Sequence, residues 1–118
     1  MAEPYHEALE ELSEETKNIH RAIISLIEEL QAVDWYNQRV DVAPDEELKA
    51  ILAHNRDEEV EHASMLLEWI RRRLPQFDEE LKTYLFTSGA VTELEESSGG
   101  GEEGRSGGSD GSLGIGKL

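Results

Sequence analysis

The sequence predicts an all-α protein, an antiparallel helical hairpin followed by a short third helix. Two apolar stripes carry this prediction, because each repeats every three or four residues, as one face of a packed helix does. A third observation is that nine of the ten glycines lie from Gly99 onward, which predicts a disordered tail after the helical part. The stripes are formed by Ile19, Ile23, Leu26, Leu30 and Val33, and then by Leu48, Leu52, Leu66 and Ile70.

The ends of the two long helices are predicted from caps and turns. The first helix should begin near Pro4 or after Ser13 and end near 36–41. A turn over 41–45 follows, and Pro44 suits the first position of the second helix, ahead of an acidic run that the helix dipole favours.

Three arginines and then Leu74-Pro75 should end the second helix. A shorter third helix is predicted from an apolar side, and Ser88-Gly89 should end it. That side is formed by Phe77, Leu81, Tyr84 and Leu85.

Composition divides the chain into three parts. Residues 1–96 are predicted to form a helical domain, and residues 97–110 a flexible linker, because Gly, Ser and Glu cannot bury a core. Apolar residues return in the terminal segment 111–118, where Leu113 and Ile115 would point the same way in an extended strand.

Charge and cysteine usage exclude several classes of function. There is no cysteine, so disulfides and thiolate metal sites are excluded. The formal charge of −16 disfavours nucleic acid and anionic membranes as partners. The N-terminus has no secretory signal pattern and no apolar run approaches the length of a membrane span, so a cytoplasmic protein is expected.

The second stripe is interrupted by polar residues where core residues should lie: Asn55, Glu59 and His62. An unpaired buried carboxylate costs several kcal/mol, so Glu59 needs a cation or hydrogen-bond donors. Glu59 and His62 read Glu-x-x-His, which places two metal-ligand types one helical turn apart. The alternative is a surface pair without a role, since this spacing is frequent by chance.

On the first helix, Glu29 flanks the apolar stripe and becomes the required partner of the Glu-x-x-His motif. One Glu on one helix and Glu-x-x-His on the next is half of the ligand set of a four-helix di-iron carboxylate protein. A hairpin also lacks a second layer to cover its stripes. Both arguments predict a homo-oligomer, with at least a two-fold dimer that completes the bundle.

Other polar residues near this pattern receive separate interpretations. Tyr36 lies two turns after Glu29 on the same helical face, so its phenol could serve the metal site or be an interface aromatic. His20 and His54 are interpreted as non-ligands, because neither is paired with a carboxylate in the stripe.

With these residues identified, nearly the whole chain resembles the encapsulated ferritins. The stretches that carry the resemblance are 28–36, 51–62 and 83–86, and 110–116 looks like the peptide that loads cargo into encapsulin shells. The resemblance implies that Glu29, Glu59 and His62 are iron ligands of a di-iron centre shared by two subunits, with Trp35 and Tyr36 close to it. Other divalent cations are expected to substitute for iron.

The resemblance also implies a function and an assembly. Dimers should form a ring-shaped decamer that oxidises Fe(II) with dioxygen. The iron should then be stored inside an encapsulin nanocompartment, and residues 111–118 should target the protein to that compartment. Glu28 matches one residue of a metal entrance site, but Gln31 stands where the family has a second glutamate. Two alternatives stay open, a peroxide-reducing di-metal protein and a non-catalytic helical cargo or scaffold protein.

Overall fold

The computed structural model describes residues 5–101, and side chains as far as Glu96. The all-α prediction is confirmed, and the described residues contain no strand. After a 3-10 turn at Leu9–Glu11, the elements are α1 (Glu14–Val42), α2 (Glu46–Arg73), α3 (Pro75–Tyr84) and α4 (Val91–Gly101). None of the described helices is long and apolar enough to cross a bilayer.

Side-chain caps set the starts of the two long helices. Ser13 accepts a hydrogen bond from the backbone N–H of Thr16 at 3.0 Å, so α1 begins at the second of its two expected starts. Asp45 caps α2 in the same way, accepting from the N–H of Leu48 at 2.8 Å. The prediction that Pro44 opens α2 was wrong, because Asp45 occupies the capping position with extended backbone and α2 starts at Glu46.

Helices α1 and α2 pack antiparallel, as contacts at their two ends show. Arg73 reaches Glu15 at 3.3 Å at one end, and Arg56 donates to Asn37 at 3.0 Å toward the other. Arg73 also lies over the ring of Trp69, 4.2 Å from its centroid.

The hairpin buries few apolar side chains. Ala22, Ala63 and Ile70 are the buried apolar residues of the described part, whereas Leu30 is 52% exposed and Met65 59% exposed. Two of these three are small alanines, and several larger apolar side chains, such as Ile23, Leu48 and Ile51, remain exposed. This is the surface that the sequence analysis expects a second copy to cover.

Helices α3 and α4 form a separate compact unit that begins at Pro75. Helix α3 ends at Tyr84, before the predicted stop at Ser88-Gly89, because Phe86 already adopts a left-handed backbone conformation with φ of 60°. The sequence analysis treated 1–96 as one domain, whereas the structure divides this span after Leu74.

Helix α4 was not predicted, and it corrects the boundary of the linker. Its backbone is helical as far as Gly101, so residues 97–101 do not begin a linker as expected. Glycine and serine have weak helix propensities, which is why composition favoured the wrong state here. Residues 102–110 of the predicted linker and the whole segment 111–118 lie outside the described residues.

Candidate metal site

Three side chains converge midway along the α1–α2 hairpin. Glu29 comes from α1, and Glu59 and His62 come from successive turns of α2. One potential ligand atom from each of them lies within 4.8 Å of the other two. The structure therefore brings together the three residues that the sequence analysis chose as metal ligands.

The geometry of this cluster suits one shared cation. The Nδ1 atom of His62 lies 3.6 Å from Oε1 of Glu29 and 3.5 Å from Oε1 of Glu59. Metal–ligand bonds of about 2.2 Å place two ligands of one ion up to about 4.4 Å apart, and both of these His62 distances lie within that limit. Two carboxylate oxygens and an imidazole nitrogen are donors that suit iron, manganese or zinc.

The charge of the cluster is incompletely balanced. The pKa of Glu29 is raised, first by its hydrogen bond with the Glu59 carboxyl, then by burial and the charge of Glu59, while His62 opposes these effects. The ion pairs described at Glu29 and Glu59 are both with His62. Two carboxylates that share one imidazole would be relieved by a bound cation.

The cluster is open to solvent on one side. The side chains of Glu29 and Glu59 are each 26% exposed, and that of His62 is 42% exposed. An open groove of about 530 Å³ begins at Glu29 and His62 and follows the hairpin to Trp69. It is lined mainly by apolar surface, including Ala22, Met65 and Leu66.

Sequence reasoning missed Met65 and Trp69 as neighbours of the site. Met65 follows His62 by three residues and Trp69 follows it by seven, so both share its side of α2. That spacing was available in the sequence, but neither residue falls in the apolar stripe that guided the search.

The other candidate residues lie outside the three-residue cluster. Tyr36 is half-buried, and Arg39 lies over its ring, 5.3 Å from the centroid. Trp35 is 52% exposed, and Glu28 and Gln31 are exposed on α1. The structure therefore does not join the expected entrance residues or Tyr36 to the ligands.

The two histidines interpreted as non-ligands have other neighbours. His20 packs against the ring of Tyr5, with centroids 4.2 Å apart. The Nε2 atom of His54 lies 3.9 Å from Oε2 of Glu58, whose other oxygen, Oε1, lies 3.9 Å from Nε2 of His62. Glu58 thus stands between His54 and His62, a placement that was not predicted from the sequence.

A helical hairpin with two carboxylates and an imidazole converging on one face is the arrangement found in one half of a ferritin-like four-helix bundle. The chain belongs to the EncFtn-like family, which matches residues 4–88. The resemblance to encapsulated ferritins is thereby confirmed.

Individual relatives agree with this membership. The chain is 58% identical over 120 residues to an encapsulated ferritin-like protein of Rhodospirillum rubrum, covering 96% of this chain and 86% of the relative. It is 34% identical over 101 residues to an encapsulin nanocompartment cargo protein of Myxococcus xanthus, covering 81% and 78%. A crystal structure of a Nitrosomonas europaea protein matches with a TM-score of 0.73 and 67% identity, over 75% of this chain and 98% of that one.

Proposed function

We propose that this protein is a ferroxidase, which oxidises Fe(II) to Fe(III) with dioxygen at a centre completed by two copies of the chain. The observation that carries the proposal is the convergence of Glu29, Glu59 and His62, whose ligand atoms lie within 4.8 Å of one another. Membership of a ferritin-like family supports iron as the metal.

The composition of the cluster supports a site between two copies. One chain supplies one Glu from α1 and one Glu-x-x-His from α2, and a di-iron carboxylate bundle needs two of each. The apolar groove beside the cluster supplies a surface that a second hairpin could cover. The ring-shaped decamer implied by the family resemblance belongs to this proposal, because each dimer would contribute one complete centre.

The chain's residues would bind the ferrous substrate and favour its oxidised form. Carboxylate oxygens are hard ligands that stabilise the higher charge of Fe(III), and His62 adds a nitrogen donor. Each ferrous ion supplies one electron to dioxygen. In this proposal Glu59 would hold iron together with Glu29 and His62, and Tyr36 is a nearby phenol rather than a ligand.

The location inside an encapsulin shell is proposed from relatives and from the tail. The Myxococcus relative is named as an encapsulin cargo protein. The segment 111–118 resembles the encapsulin-loading peptide, with apolar Leu113 and Ile115 at alternate positions that suit a shallow groove. A cytoplasmic compartment of this kind would store the ferric product.

The experiment that tests the activity is stopped-flow absorbance after mixing metal-free protein with Fe(II) under air, and separately under nitrogen with hydrogen peroxide. Fast formation of a ferric signal with air supports the ferroxidase. Oxidation that occurs with hydrogen peroxide but not with air would instead indicate a peroxide-reducing protein. Failure to bind iron or zinc would favour a non-catalytic scaffold.

Co-expression with an encapsulin shell tests the addressing role of the tail. Deleting 111–118 should abolish co-purification with the shell and leave iron oxidation intact. Deleting the equally long 103–110 is the matched control, because it shortens the chain and keeps the terminal segment. Packaging that survives the first deletion would place the loading signal in the helices.

A further inference from the structure

The imidazole of His62 has carboxylates on both of its sides. Its Nδ1 atom lies 3.6 Å from Glu29 and 3.5 Å from Glu59, whereas its Nε2 atom lies 3.9 Å from Oε1 of Glu58. The ring therefore presents one nitrogen to the cluster and the other to a carboxylate outside the ligand set.

The placement of these two nitrogens has a chemical consequence. A neutral imidazole binds a metal through the nitrogen that carries no hydrogen, and the hydrogen bond of the other nitrogen decides which one that is. A cation held by Glu29 and Glu59 would need the lone pair of Nδ1, and an acceptor beside Nε2 stabilises the hydrogen that Nε2 then carries.

Glu58 has a second neighbour that restricts its position. Its Oε2 atom lies 3.9 Å from Nε2 of His54, so the carboxylate stands between two imidazoles, one turn away on either side. His54, Glu58 and His62 follow at intervals of four residues, which places them in one row along α2.

We infer that Glu58 is a positioning residue for the metal centre, which accepts the Nε2–H of His62 and thereby presents Nδ1 to the cation. This inference rests on the proposed function, because it assumes that His62 is a ligand. The side chains of Glu58 and His62 are 48% and 42% exposed, so neither is locked by packing. A small rotation would shorten their 3.9 Å separation to the roughly 2.9 Å of a hydrogen bond.

The test separates the acceptor role of Glu58 from its charge. Glu58→Leu removes acceptor and charge, whereas Glu58→Gln removes the charge and keeps an acceptor oxygen. Glu61→Leu is the matched control, because it removes the same charge from the same turn of α2, about 100° around the helix from His62.

Two measurements apply to each variant. The ¹⁵N shifts of the His62 ring in zinc-loaded protein report which nitrogen binds the metal and which carries hydrogen, with assignment by His62→Gln. Calorimetry with Zn²⁺, a redox-silent probe, reports metal affinity. Glu58→Leu should shift the ring toward a mixture of both forms and weaken zinc binding about 10–100-fold, as loss of outer hydrogen-bond partners does. Glu58→Gln should retain most of both properties, and Glu61→Leu should retain both fully.

Several results would overturn the inference. Unchanged ring shifts in Glu58→Leu would remove the orienting role, and equal weakening by Glu61→Leu would leave only a general charge effect. If Glu58→Leu and His54→Ala each bind one zinc ion fewer while the ring shifts stay unchanged, Glu58 belongs to a separate cation site. If the unsubstituted protein binds no zinc through His62, the proposed function fails and the inference fails with it, whereas zinc binding that Glu58→Leu leaves unchanged overturns the inference alone.

Discussion

Two glutamates of the α1–α2 hairpin occupy opposite electrostatic situations. Glu68 receives hydrogen bonds at 2.7 Å from Arg71 and at 2.6 Å from Arg72, and these guanidinium groups lower its pKa from 4.5 to about 2. Glu29 faces another carboxylate, Glu59, and its pKa is raised. The same side-chain type is thus neutralised by the chain's own cations at one place and left with an acidic partner at the other.

The difference indicates where an external cation is needed. A carboxylate with bidentate arginine contacts has its charge matched within the chain. Within residues 5–96, the charge of the Glu29–Glu59 pair is partly compensated by His62, and a metal ion would supply the remaining positive charge. This contrast singles out one glutamate pair in a protein whose acidic residues are too numerous for charge alone to mark a site.

The largest expected effect comes from removing ligands. Glu29→Ala, Glu59→Ala or His62→Ala should lower the rate of iron oxidation by more than the ~10–100-fold typical of outer-shell losses, because each removes a metal-binding atom. Glu68→Ala should leave the rate unchanged, since its partners are arginines. Stopped-flow absorbance measures the rates, and circular dichroism checks that helix content survives. Near-normal rates in all three ligand variants would refute the site.

The proposed site between two copies predicts that metal also stabilises the oligomer, because a shared site binds cation more tightly in the assembled state. An ion at 100 times its dissociation constant would add about 2.7 kcal/mol per site. Native mass spectrometry over a dilution series should show dissociation at higher protein concentration without metal than with zinc. Glu59→Ala should abolish this dependence and Glu68→Ala should keep it. An identical distribution with and without metal would contradict a shared site.

The pH dependence of metal-free stability should distinguish the two glutamates. Because the folded pKa of Glu29 is raised, its stabilising contribution is present below 4.5 and is lost as pH rises through the raised value. Glu29→Gln should therefore raise Tm at pH 7 and lose this advantage near pH 4.

Glu68 should show the opposite sign. Its lowered pKa gives a contribution that is present above 4.5 and is lost as pH falls through about 2. Glu68→Gln should therefore lower Tm at pH 7, and the difference should persist at pH 4. Thermal unfolding by circular dichroism in the presence of a chelator measures both variants. A Tm at pH 7 that is higher than that of the unsubstituted protein for Glu68→Gln, or lower for Glu29→Gln, would contradict the contrast between the two glutamates.

The smallest effect is expected at the exposed entrance residues. Gln31→Glu places a carboxylate one turn from Glu28, which on a bare helix costs a few tenths of a kcal/mol. A bound cation would reverse that cost. Calorimetry should therefore show that this variant binds zinc more tightly at the weak site near Glu28. Gln38→Glu, further along α1, is the matched control. Equal binding by both variants would place position 31 outside the path of the metal.

The sequence could predict the ligand cluster because helical geometry fixes it. Glu59 and His62 must share a side of α2 at a spacing of three residues, and the two apolar stripes set the register that brings Glu29 opposite them. The contact between the Glu58 carboxylate and the His62 ring depends on side-chain rotation, which residue spacing does not determine.

The fold beyond Leu74 was less predictable for a different reason. Helix α3 ends just before Phe86, which has a positive φ. A bulky residue rarely adopts this conformation, so the residue type gives no reason to predict it. Helix α4 continues through Ser and Gly, whose propensities favour other states. In both places the local preferences of the residues disagree with the conformation that the chain adopts.

The presence of one Glu29, one Glu59 and one His62 per chain has a consequence for how such a centre can change over generations. In a two-fold site built from a single gene, every substitution of a ligand appears twice, so no ligand can be exchanged while its symmetry mate is kept. A single mutation in such a site therefore removes two ligands at once. Two iron positions with different ligands can arise only after the gene is duplicated.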